Sequence, residues 1–178
     1  MGVAILMIMF FHTRYPLYRF CNIGVEFFLI LSAIGLDNSL TNNSDPKRFY
    51  KKRLVRLLPA YLLVSFPYWL YTCWPNMSQF FQNISGISLF SGVRTFWFII
   101  LITFCYIITP FYFKYTNRKA KLILPFLLIF PCFGIGLAVT NVEILVNRIP
   151  VFLLGFIVAD YLKRRKEINV TLLFLLSF

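Results

Sequence analysis

"TFWFIILITFCYIITPFYF" (95–113) runs without a single charge, and "KYTNRKAK" (114–121) follows it at once. A helix needs about 20 predominantly apolar residues to cross the hydrocarbon core of a bilayer. The stretch predicts a membrane-spanning helix closed by a basic loop. The same alternation recurs along the chain.

Apolar segments run over 2–12, 22–36, 54–72, 95–113, 122–141, 149–162 and 170–178. Three of them (54–72, 95–113, 122–141) are long enough to span alone, and 22–36 and 149–162 are long enough with their flanks. The first and last are cut by the ends of the chain. Residues 2–12 lack the preceding basic region and the small-residue cleavage site of a signal peptide. The expected fold is an all-α polytopic transmembrane helical bundle of about six helices plus a truncated seventh. It reads as one membrane-embedded domain over 1–178, incomplete at both ends. With 60% hydrophobic and 13% charged residues, the chain has too little polar surface for a soluble globular domain.

The net charge of +12 would suggest nucleic acid in a soluble protein. Here the basic residues gather in short loops instead, and no nucleic-acid partner is expected. Lys47, Arg48, Lys51, Lys52 and Arg53 fall in loop 37–53, Lys114, Arg118, Lys119 and Lys121 in loop 114–121, and "KRRK" forms loop 163–166. The alternate loops hold only Arg14, Arg19, Arg94 and Arg148. Cytoplasmic loops are enriched in Lys and Arg, so 37–53, 114–121 and 163–166 are expected in the cytoplasm. The opposite side then holds 13–21, 73–94 and 142–148. Asn76 and Asn83 each open an N-x-Ser sequon there, and Cys21 and Cys73 share that side. With a single histidine and no CxxC, no metal site is expected.

Few residues are placed to carry chemistry. His12 is the only histidine, at the non-cytoplasmic end of the first apolar segment. It is either an interfacial residue or a general base, since imidazole titrates near neutrality. Glu26 lies in "NIGVEFFLILSAIGL" (22–36), and a carboxylate at such depth usually faces the protein interior or a watered cavity. The short 13–21 loop makes the first two helices antiparallel neighbours, with Glu26 within reach of His12 to orient the imidazole. Arg53 and Arg56 stand three apart on one helical face. They are either positive-inside anchors or a phosphate-binding pair. Trp97 opens the fourth helix, and Arg148 precedes "IPVFLLGF".

In order and spacing, "FFH" (10–12), "GVEFFLILSAIG" (24–35), "FYKKRLVRLLPAY" (49–61), "FWFI" (96–99) and "NRIPVFLLGFIVADY" (147–161) resemble the membrane acyltransferase-3 family of bacterial O-acyltransferases. The resemblance implies an integral inner-membrane (cytoplasmic-membrane) O-acyltransferase, acetyl being the usual group. The donor would be cytoplasmic acetyl-CoA or another acyl-CoA, and the acceptor a hydroxyl of a cell-surface glycan or glycoside. No cofactor would be bound permanently; acyl-CoA, the acceptor and the lipid bilayer are the partners. By the same resemblance His12 is the catalytic histidine; Glu26 joins it as a catalytic residue on the residue reading above. Arg53, Arg56, Trp97 and Arg148 are substrate-binding. Two positions depart from the family: its arginine one segment-length before the histidine falls on Met1, and its Ser-Gly pair reads Ser32-Ala33. The competing readings are a truncated inactive remnant and a non-enzymatic small transporter subunit. The latter predicts charges spread through several helices, whereas here the interiors are nearly charge-free, with Glu26 and Asp160 the main exceptions.

Overall fold

The computed structural model of the protein describes residues 3, 6–8, 23–42, 45–139 and 141–164. Among these no strand occurs, and seven α-helices follow in chain order. They are α1 (Ile23–Asn42), α2 (Pro46–Tyr68), α3 (Met77–Ser85), α4 (Trp97–Tyr115), α5 (Arg118–Ala138), α6 (Glu143–Val146) and α7 (Ile149–Arg164). Among the described residues, five stretches are long and apolar enough to cross a membrane: Ile23–Asn42, Pro46–Cys73, Trp97–Tyr115, Lys119–Ala138 and Glu143–Lys163. The expected all-α helical bundle is what the chain forms. The outermost expected segments, 2–12 and 170–178, lie outside the described residues, save that 3 and 6–8 are helical.

The connections are tighter than the charge pattern implies. The basic loop expected over 37–53 shrinks, because α1 continues to Asn42 and α2 already begins at Pro46. Asp45 is extended, and its carboxylate accepts the Lys47 backbone N–H at 3.0 Å, while Pro46 suits the first helical turn, where no amide donor is needed. Lys47, Arg48, Lys51, Lys52 and Arg53 therefore stand on the first two turns of α2. At the next basic connection the Asn117 side chain accepts the Ala120 N–H at 2.9 Å, so α5 starts within the expected loop.

The chain divides into two compact units. The first takes residues 1–38, 117–127 and 148–178. Its core is a stripe on α1, with Val25, Leu29, Ala33, Leu36 and the Asp37 carboxylate buried at three- and four-residue spacing. On α7 the matching stripe is Phe152, Phe156 and Ala159. The two helices meet at Gly155: a Cβ added there would lie 2.6 Å from the Ala33 Cβ and 2.7 Å from the Ile30 carbonyl oxygen. Small residues at such a crossing let helix backbones approach closely, as they do in membranes.

The second unit takes residues 39–116 and 128–147. Here α2 carries Pro59 and Pro67. Pro67 lacks an amide donor and crowds the preceding turn, and the helix gives way to a π-turn over Trp69–Cys73. The corner that follows is aromatic. Trp69 meets Trp74 at 4.9 Å and Phe80 at 6.1 Å, and Phe96 is edge-on to both Tyr61 and Tyr68. Asn76 caps α3 by accepting the Gln79 N–H at 3.1 Å, and Gly86, at φ 84°, ends it in the left-handed conformation. Asn83 is buried, donating to the Tyr68 hydroxyl at 3.0 Å and to the Cys73 sulfur at 3.5 Å. That sequon asparagine is thus a structural bridge, and Cys73 is a buried free thiol.

Candidate functional site

Within the first unit, Glu26 stands in the first turn of α1 and Arg148 immediately before α7. Arg148 Nε lies 3.3 Å from Glu26 Oε1, both side chains being largely withdrawn from solvent. The contact is an ion pair rather than an aligned hydrogen bond, since Nε is off the hydrogen-bonding direction. The second carboxylate oxygen, Oε2, is buried and has no hydrogen-bond partner among the described residues. The Arg148 carbonyl accepts the Phe152 N–H at 3.0 Å and so joins the first turn of α7. Sequence reasoning treated the two residues separately and put Glu26 with His12; the structure brings Glu26 to Arg148. His12 lies outside the described residues.

At the other end of α1 the same unit holds a cluster of charges. Lys163 of α7 pairs with Asp37 of α1, and Lys121 of α5 lies within electrostatic reach of Asp37, Lys163 and Asp160. Asp37 was not singled out from the sequence. Its signal was present, a carboxylate at the end of an apolar run.

In the second unit Arg53 is half-buried on α2. Its guanidinium carbon lies 5.4 Å from the Phe49 ring centroid and 5.8 Å from that of Tyr106 on α4. Both distances are cation–π contacts. Arg53 Nε is buried without a hydrogen-bond partner among the described residues. Arg56 is exposed and within electrostatic range of Arg53. Tyr106 had no signal in the sequence, because nothing local links it to Arg53. Trp97 is the first residue of α4 and stacks edge-on to Phe98 at 5.8 Å. Just before α4, Arg94 binds Glu143 Oε1 at 2.6 Å and Asn141 Oδ1 at 3.1 Å. This pairing, also unforeseen, ties the start of α4 to that of α6.

A family model described as an acyltransferase domain, of the acyltransferase-3 type, matches residues 2–178. The chain belongs to the acyltransferase-3 family. No curated protein and no solved structure matches it. Family membership makes it a membrane acyltransferase in general terms, and the match extends over all six of the residues considered, from His12 to Arg148. An acyltransferase-3 chain built this way keeps Glu26 with Arg148 in one unit and Arg53 with Trp97 in the other.

Proposed function

We propose that the protein transfers an acyl group, acetyl as the first choice, from cytoplasmic acyl-CoA to a hydroxyl of a cell-surface glycan or glycoside. The family match over residues 2–178 carries this reading. Arg53 supports the donor's part. Its planar guanidinium is held against two aromatic rings with Nε unengaged among the described residues, an arrangement suited to a phosphate group. CoA carries such phosphates, and lipid would keep them on the cytoplasmic side, where the basic residues at the start of α2 are expected.

His12 acts as the base. It takes the proton of the acceptor hydroxyl as that oxygen attacks the thioester carbonyl. The new C–O ester bond forms, the C–S bond breaks, and the CoA thiolate takes up a proton. Glu26 stabilises the imidazolium that forms, Arg148 and Trp97 position the substrates, and Arg56 adds positive charge beside Arg53. Acyl-CoA is consumed as a substrate, and no resident cofactor takes part.

The test is labelled acetyl-CoA added to membranes from cells that express the protein and lack their own glycan acetyltransferase. Label is expected in the acceptor glycan with the wild type and not with His12→Ala accumulated to the same level. Equal labelling by the two would overturn the reading. Acyl-CoAs of increasing chain length in the same assay rank the donors.

A further inference from the structure

Within the second unit an apolar groove of about 440 Å³ opens between α2 and α4, with α3 across one end. Leu54, Leu58 and Tyr61 line it from α2, Phe104 and Ile107 from α4, and Ile84 from α3. The Tyr61 hydroxyl donates to the Ile84 carbonyl at 2.7 Å and closes that end. Leu54, Leu58, Phe104 and Ile107 are all exposed, and both helices are apolar enough to cross a membrane, so the groove opens toward lipid.

Beyond the other end of the groove the helical faces that line it continue into basic residues. Leu54, Leu58 and Tyr61 recur at four- and three-residue spacing, which keeps them on one helical face. Continued toward the start of α2, the same spacing reaches Lys51 and Lys47. On α4, continuing from Phe104 and Ile107 reaches Phe111 and Lys114. The two helices run antiparallel, with the Tyr50 hydroxyl donating to the Ile107 carbonyl at 2.9 Å and Tyr61 packed on Phe96. Lys47, Lys51 and Lys114 therefore share one end, and all three are exposed, with the Lys114 ammonium 5.1 Å from the Tyr115 ring centroid. The neighbouring carboxylate, Asp45, is engaged as the cap of α2. Arg53 is turned by about 100° from Leu54 and packs on Phe49 and Tyr106, so it belongs to a different face.

We propose that this groove binds an anionic phospholipid, one acyl chain lying along the apolar walls and the phosphate held by Lys47, Lys51 and Lys114. From Lys51 to Tyr61 the helix rises about 15 Å. That is half of a hydrocarbon core of about 30 Å, the depth of a single leaflet. Long lysine side chains lay their stems on apolar surface and extend their ammonium groups to the headgroup level. Near an anionic membrane surface each lysine is worth about 1 kcal/mol, or about fivefold, so the three together correspond to about a hundredfold.

The experiment is lipid titration of the purified protein in detergent, read by native mass spectrometry, comparing phosphatidylglycerol with phosphatidylcholine. The wild type is expected to favour phosphatidylglycerol by about a hundredfold. Lys47→Gln, Lys51→Gln and Lys114→Gln combined should reduce that preference to within a few-fold, while Lys→Arg at the same three sites retains it. Leu58→Trp, which fills the groove, should weaken binding of both lipids. Equal affinity of the wild type for the two lipids, an undiminished preference in the triple Gln variant, or unchanged binding by Leu58→Trp would overturn the inference. Displacement of phosphatidylglycerol by acetyl-CoA would do so as well, by assigning the groove to the acyl donor. None of these readouts measures acyl transfer, so the lipid site and the proposed reaction fail separately.

Discussion

Arg148 Nε stands 3.3 Å from Glu26 Oε1, linking the first turn of α1 to the residue that leads into α7. Removing one member of a largely buried pair leaves the other charge uncompensated. Arg148→Met should destabilise the protein by about 1–3 kcal/mol. Combining it with Glu26→Gln should recover part of that loss. A double-mutant cycle in mixed-micelle unfolding measures the coupling, which should fall in the range of about 0.5–3 kcal/mol. A coupling near zero would mean that the two charges are solvated independently.

The α1–α7 crossing has no room for a side chain at Gly155. Gly155→Ala puts a methyl group against both the Ala33 Cβ and the Ile30 carbonyl, and Gly155→Leu forces the helices apart. The larger change should lower stability by about 1–3 kcal/mol, with the alanine variant between it and the wild type. Wild-type unfolding of both variants would show that the crossing is looser than described.

Arg53→Lys keeps the charge of the residue but removes its planar fork. If Arg53 holds the donor's phosphates, the KM for acyl-CoA should rise severalfold while membrane insertion is unchanged. An unaltered KM in both Arg53→Lys and Arg56→Lys would leave the two arginines as topological anchors.

His12→Gln retains a polar tip but cannot take a proton near neutral pH. Acetylation should fall by about 10²–10⁴-fold if the imidazole is the base. In the wild type, the rate should decline as pH drops through the titration of the imidazole, because only the neutral ring accepts a proton and acid removes that form. Normal acetylation by the Gln variant would take His12 out of the mechanism.

Orientation is testable at two exposed positions, Lys52 and Gln79. With Cys21 replaced by Ala, Lys52→Cys should react with a membrane-impermeant maleimide only after the cytoplasmic side is opened. Gln79→Cys should react in intact cells. The reverse pattern would defeat the orientation read from the basic residues.

The helical type and the five long apolar spans were legible because they depend on how long an apolar run is and where it stops, both local properties of the chain; the short helices Met77–Ser85 and Glu143–Val146 fell in stretches read as loops. Trp97 opens α4 where the sequence reading put it, and 22–36, 54–72, 122–141 and 149–162 each correspond to a helix. Helix ends were less legible. The lysines and arginines of 47–53 read as loop by their charge, yet Asp45 and Pro46 start a helix beneath them. Partners were least legible of all. Glu26 meets Arg148, Arg53 meets Tyr106 and Arg94 meets Glu143 across long stretches of sequence, and no periodicity within one helix encodes the packing of another.

Asn83 carries the sequence mark of a sugar acceptor, but its amide is already donated to Tyr68 and Cys73 inside the corner between α2 and α3. A glycan on that nitrogen and the closed corner exclude one another. In a host that glycosylates N-x-Ser sites, the fraction of chains carrying a sugar at Asn83 therefore counts molecules whose corner never formed. The site becomes a built-in tally of misfolding.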